Sequence, residues 1–90
     1  MVNLNKLEQC FNVAKETNQN IIGVLIEMQG FEKPELILNQ KENFEAKLNY
    51  YKKAYNEDLT LKAFNGIKII GYAFGSNAND IMDYLEKGGN

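Results

Sequence analysis

The chain has no histidine, no tryptophan and no arginine; all ten of its basic residues are lysine. Histidine is the usual general acid–base and the commonest metal ligand. Arginine is the preferred bidentate grip on phosphate and on guanine. Their joint absence argues against acid–base catalysis, zinc sites and base-specific DNA reading. The expectation is a protein that is not an enzyme, carries no cofactor or metal, and does not contact nucleic acid directly. The single cysteine, Cys10, excludes an internal disulfide and fits a reducing compartment. The longest apolar stretch, Ile21 to Ile26, is far short of the ~20 residues that span a bilayer. The N-terminal Met1-Val-Asn-Leu-Asn-Lys lacks the basic-then-apolar order of a signal peptide. The expected location is therefore the cytoplasm, away from membranes.

What is present is ordinary for a folded domain. Ninety residues suit one domain, 1–90, and a 44% hydrophobic content argues against disorder. A chain of this size buries only roughly 60–65% of its unfolded surface, so modest stability is expected. Asparagine occurs thirteen times, a usage that low-GC coding would produce. A net charge of −2 and a pI near 5.1 are too mild to mark a DNA binder or a DNA mimic.

Patterning predicts the order α-β-β-α-β-β-α, an α+β domain in which two hairpins form a four-stranded, mostly antiparallel sheet packed by helices. Residues 3–18 read as an amphipathic helix with Leu4, Leu7, Phe11 and Ala14 inward and Asn3 or Asn5 as cap. Ile21–Met28 reads as a central strand, apolar on both faces, and Glu35–Leu38 as its returning partner across Gly30–Pro34. Asn39-Gln-Lys-Glu42 has the form of a capping box opening a second helix, with Phe44, Leu48, Tyr51 and Tyr55 on one face. Leu59–Phe64 and Ile67–Phe74 read as strands turned by Asn65-Gly66, a strong hairpin signal. That turn sets Leu61 opposite Ile70 and Leu59 opposite Tyr72. A last helix over residues 77–87 turns Ile81, Met82 and Leu85 inward, capped by Ser76 or Asn77, and residues 88–90 form a frayed tail.

Four constellations invite a functional reading. Gly75-Ser76-Asn77 joins a strand to a helix N-terminus, where free N–H groups attract anions, although an ordinary strand–helix turn explains it as well. Tyr50, with Lys47, Lys52 and Lys53, places an aromatic ring among cations, as in single-strand binders, but a tyrosine at a core margin is the commoner case. Glu27, Glu32, Glu35, Glu42 and Glu45 gather around the first hairpin and the second helix; a solvated acidic face that meets a basic partner fits them better than a cation site. Phe31, at the loop tip, either folds back as a plug or anchors an interface. Cys10 reads as small core filler, with no histidine to activate it.

Three stretches carry a resemblance: Glu27-Met-Gln-Gly-Phe-Glu-Lys-Pro-Glu35; Asn43-Phe-Glu-Ala-Lys-Leu-Asn-Tyr-Tyr-Lys-Lys-Ala-Tyr55; and Asn65-Gly-Ile-Lys-Ile69 with Tyr72 and Phe74-Gly75. Together they resemble small uncharacterised phage and prophage proteins of low-GC Gram-positive bacteria. The resemblance implies an accessory factor that binds and neutralises a host protein, such as a CRISPR effector, and it carries over no functional residue. The expected function is therefore steric or charge-complementary inhibition of a host defence protein. The expected contact residues are Glu27, Phe31, Glu32, Glu35, Glu42, Glu45 and Tyr50. The alternative is sequestration of a nucleotide-like signal by the amides near Ser76 and Asn77, helped by Tyr50. A homodimer is compatible with both, because three short helices leave part of a four-stranded sheet uncovered.

Overall fold

A computed structural model describes residues 2–86 and has the α+β order read from the sequence. Helix α1 spans Leu4–Glu16, strand β1 Ile21–Met28, strand β2 Glu35–Gln40, helix α2 Phe44–Ala54, strand β3 Thr60–Leu61, strand β4 Phe64–Gly75 and helix α3 Ala78–Glu86. The four strands make one antiparallel sheet in the order β2-β1-β4-β3. The expected tail over residues 88–90 lies outside the described residues.

The alternation along β1 decides which layer each helix joins. Even positions Ile22, Val24 and Ile26 belong to the main core with Leu7, Phe11 and Ala14 of α1 and Phe44, Leu48 and Tyr51 of α2. Phe11 is the hub, meeting the Phe44 ring edge-on at 5.7 Å and the Tyr51 ring at 6.0 Å. Odd positions face the other way, where α3 packs. A Cβ on Gly23 would lie 2.5 Å from Ile81 Cγ2, and one on Gly71 would lie 3.3 Å from Leu85 Cδ2. With Ala73, these glycines clear a shallow track that lets α3 approach the sheet. The result is three layers, α1 and α2 on one face and α3 on the other.

Helix entry points follow local chemistry. Asn3 caps α1 by accepting from Lys6 N–H at 2.8 Å, so Asn5 is not needed, and Asn77 caps α3 by accepting from Asp80 N–H at 3.0 Å. The expected capping box at Asn39–Glu42 is not formed. Asn39 is the fifth residue of β2 and is buried, while a single 3-10 turn, Lys41–Asn43, leads into α2 without a side-chain cap. The β1–β2 ladder extends past Leu38 to pair Ile22 with Asn39 and Ile21 with Gln40, and it draws Asn39 inward.

The second hairpin also departs from its expected turn. Leu61 pairs with Phe64, so Lys62-Ala63 makes the reversal and Asn65-Gly66 lies inside β4. The expected pairs Leu61–Ile70 and Leu59–Tyr72 are not made. Gly66 O accepts from Gln29 N–H at 2.8 Å, which continues the contact with β1 and holds the Asn-Gly pair extended. Positive φ falls instead on Leu59 (67°), which ends the extended chain and leaves β3 only two residues. In α3, Ile81 is buried, but Met82 is 44% exposed and is not an inward residue. Nine residues cover only part of the sheet, and Met82 stands at the helix's outer margin.

Candidate interaction surface

The loop between β1 and β2 begins where the sheet runs out. Phe31 N–H donates to Met28 O at 3.1 Å, and Gly30 reaches φ +90°, which closes a tight turn directly before the phenylalanine. Phe31 does not fold back as a plug: it is 66% exposed, the most exposed of the large apolar side chains among the described residues. Beneath it is a shallow hollow of about 370 Å³ lined by Glu27, Gly30, Phe31, Glu32, Pro34 and Gly66. Glu27, Glu32 and Glu35 are all exposed around this tip. An apolar ring is thus flanked by three carboxylates, with Lys33 between Glu32 and Glu35 in the loop and Lys68 opposite Glu27 across the ladder.

The remaining acidic residues are elsewhere. Glu35 opens β2, whereas Glu42 and Glu45 follow its far end, in the 3-10 turn and the first turn of α2. A six-residue strand is roughly 17–20 Å long. The five glutamates therefore fall into two groups at opposite ends of β2, and only Glu27, Glu32 and Glu35 share the Phe31 tip.

Tyr50 is exposed on α2, edge-on to Tyr51 at 5.4 Å and to Tyr55 at 6.4 Å, with Lys47 Nζ 5.4 Å from its ring centre. Tyr51 and Tyr55 are buried, and burial raises both phenols. Tyr51 is pushed up to about 12, against a smaller downward pull from its hydrogen bond to Asn39. Tyr50 is thus the outer edge of a packed aromatic cluster. Ser76 and Asn77 belong to the opposite layer. Asn77 Oδ1 takes up Asp80 N–H, and Asp80 adds a carboxylate to the first turn of α3. Gly75 has a packing role, since a Cβ there would lie 3.3 Å from Ile81 Cγ1. Tyr50 and Asn77 do not converge on one site.

Two features escaped the sequence reading. One is a cleft of about 700 Å³ between the N-terminus of α1, the end of α2 and the turn before β3. In it Lys52 bridges to Glu8 at 3.1 Å. At its rim the Asp58 carboxyl is held below its usual range, chiefly by the Thr60 hydroxyl at 2.6 Å, then by Thr60 N–H at 3.0 Å, with Lys68 adding to the effect. Lys52, Glu8 and Asp58 thus already have protein partners. The other feature is a groove of about 310 Å³ where β4 runs without β3, lined by Cys10, Tyr72, Ala73, Phe74 and Tyr84. Burial pushes the Cys10 thiol up to about 11, so it stays protonated at neutral pH. Neither feature leaves a signal in linear sequence, because each joins residues from three elements.

Among the described residues, no group of three or more Cys, Asp or Glu side chains is placed to hold a metal ion. No described helix is long and apolar enough to cross a membrane. Compared with known proteins, the chain matches no family model, no curated sequence and no solved structure at a significant level.

Proposed function

We propose that this protein works by binding another protein and not by catalysis, as a phage-type accessory factor that blocks a host defence protein, a CRISPR-type effector being the leading candidate. The observation that supports a binding role is Phe31, held 66% exposed on a tight turn beside Glu27, Glu32 and Glu35. Exposing an aromatic ring forfeits the ~1.5–3 kcal/mol that its burial returns. An exposed ring on a preorganised turn recovers that energy when it fills a partner's pocket, and such anchors dominate binding energies. Glu27, Glu32 and Glu35 supply carboxylates that a lysine- or arginine-rich surface complements. The link to host defence comes from the resemblance of the three sequence stretches alone.

The nucleotide-sequestering alternative needs Tyr50 and the amides near Ser76 and Asn77 to meet, and they stand on opposite faces of the sheet. It therefore has no shared pocket to support it.

The test is affinity capture from a susceptible host lysate with wild-type protein and with Phe31→Ala. Wild type is expected to retain one host protein in stoichiometric amount and to inhibit its activity when the two are purified. Phe31→Ala should weaken that complex by about 30-fold, the effect of a central aromatic anchor. Recovery of no specific protein, or equal recovery by both forms, overturns the proposal.

A further inference from the structure

Strand β3 covers only the beginning of β4. Their pairs are Thr60–Lys68 and Leu61–Phe64, and Ile69 N–H donates to Leu59 O at 2.9 Å. From Ile70 to Gly75, β4 has β1 on one side and, among the described residues, no strand on the other.

The register states which backbone groups face that open side. Lys41 N–H donates to Asn20 O, just before β1 on its β2 side, so even-numbered residues of β1 direct their backbone groups toward β2. The odd-numbered residues Ile21, Gly23 and Leu25 then bond toward β4, where they meet Gly75, Ala73 and Gly71. In an antiparallel ladder, hydrogen-bonded and non-bonded pairs alternate. Tyr72 and Phe74 therefore turn their N–H and C=O groups outward.

This edge lacks charge and proline, and its one irregularity, the bulge that leaves Ile70 unpaired between Ile69 and Gly71, lies at its start. Natural edge strands carry charge or proline, or are kept short. From Ile69 to Gly75 there is no Lys, Asp, Glu or Pro. The side chains beside the edge are apolar or aromatic: Phe74 is 39% exposed, and Tyr84 and Val13 are exposed too.

We propose that this edge pairs with the same edge of a second copy, about a two-fold axis at Ala73 that sets Tyr72 opposite Phe74 of the second copy. Each Tyr72–Phe74 pair then exchanges both of its N–H···O bonds across the junction. Tyr72 lies opposite Val24 and Phe74 opposite Ile22, so both aromatic side chains are on the α1 face and stack as cross-strand pairs. On the other face the axis passes Ala73, whose small side chain adds no bulk at the junction, while α3 fills the space over Gly71 and Gly75. Charge is compatible with a second copy as the occupant. A two-fold axis brings each charge near its own like, and the strand from Ile69 to Gly75 carries none. Asp80, whose Cβ lies 3.6 Å from where a Gly75 Cβ would stand, is at the end of the edge, two residues from the axis. Equal spacing of the two outward residues about Ala73 makes the strand complementary to itself. The sheet then continues through both copies.

The test is the mass of the full chain by light scattering and sedimentation across a dilution series, with hydrogen exchange at each concentration. Wild type is expected to be a dimer in which the Tyr72 and Phe74 amides gain protection as concentration rises. Phe74→Lys loses both aromatic pairs and sets two lysines at diagonal positions, roughly 7–8 Å apart along the backbone across the axis. Dimer affinity should fall by about 100-fold or more. Phe74→Pro, which removes an outward N–H and no bond to β1, should do the same, and circular dichroism should show both variants folded. A wild-type monomer at the highest soluble concentration overturns the proposal, as does a dimer unaffected by both folded variants. A monomer that binds only an unrelated extended peptide also overturns it. Phe31→Ala should leave the dimer intact, so this inference and the proposed partner contact fail separately.

Discussion

Tyr51 Oη donates to Asn39 Oδ1 at 3.2 Å in the core, and Asn39 Nδ2 donates in turn to Ile22 O at 3.0 Å. This chain of hydrogen bonds joins α2 to β2 and β2 to β1, through a buried asparagine that is 2% exposed. Burying an amide is costly unless its groups are bonded. Here the side-chain oxygen and nitrogen each have a partner, and no buried side-chain nitrogen or oxygen lacks one among the described residues.

Asn39→Ala should therefore destabilise the fold by about 2 kcal/mol, because it leaves the Tyr51 hydroxyl buried without an acceptor. Tyr51→Phe should cost about 1 kcal/mol by stranding the Asn39 oxygen. The double variant should lose less than the sum. Urea denaturation of the four proteins in a mutant cycle measures the coupling, and strict additivity would show that the bond contributes nothing.

Leu59 is fully buried at φ 67°, a backbone region that a Cβ disfavours. Truncation to alanine keeps that strain and loses the packing, whereas truncation to glycine loses the packing and relieves the strain. Leu59→Gly should thus be the more stable of the two by about 1 kcal/mol, although both fall well below wild type. Thermal unfolding of the pair checks this reversal of the usual alanine-over-glycine order.

Gly23→Ala places a methyl carbon 2.5 Å from Ile81 Cγ2, so α3 must shift outward. A loss of about 1–3 kcal/mol is expected, as for other overpacked cores. Ile81→Ala removes the obstructing methyl, and Gly23→Ala should then cost much less in that background. An undiminished cost in calorimetry would place the conflict elsewhere.

Alkaline stability reports on Cys10 and on the phenols of Tyr51, Tyr55 and Tyr72, all raised chiefly by burial. Cys10 is raised by burial from 9.0 to about 11, and Tyr51, chiefly by burial, from 10.0 to about 12. Between each pair of values the unfolded chain releases a proton that the folded chain keeps. Stability is therefore fully present below pH 9 and declines as pH rises, first through Cys10 and then, above pH 10, through Tyr51, Tyr55 and Tyr72. Cys10→Ala should remove the first part of this decline and leave the second. Urea midpoints measured from pH 8 to pH 11 test it, and identical profiles for both proteins would refute the assignment to Cys10.

Much of the framework was legible in the sequence. The spacing of Leu7, Phe11 and Ala14, and of Phe44, Leu48, Tyr51 and Tyr55, marks buried helix faces because a 3.6-residue period leaves few other solutions. The two-sided apolar character of Ile21–Met28 marks a strand covered on both faces. The errors arose where a local preference met a longer-range ladder. Asn39 has cap chemistry but is taken into the β1–β2 pairing. Asn65-Gly66 has turn chemistry but is held extended by β1, which moves the reversal to Lys62-Ala63 and the strain to Leu59.

The candidate surface divides in the same way. Phe31 and its flanking glutamates could be selected from sequence because a loop is contiguous, but whether the ring plugged or protruded was a tertiary matter. Five glutamates close in sequence became two groups, because an extended strand separates its ends. The open edge of β4 was invisible, since an edge is defined by the strand that is missing beside it. By itself, the sequence determined the periodic elements and their inward faces, which depend on spacing a few residues long. Only the tertiary structure decided register, strand order and exposure, because these are set by competition among backbone partners far apart in the chain.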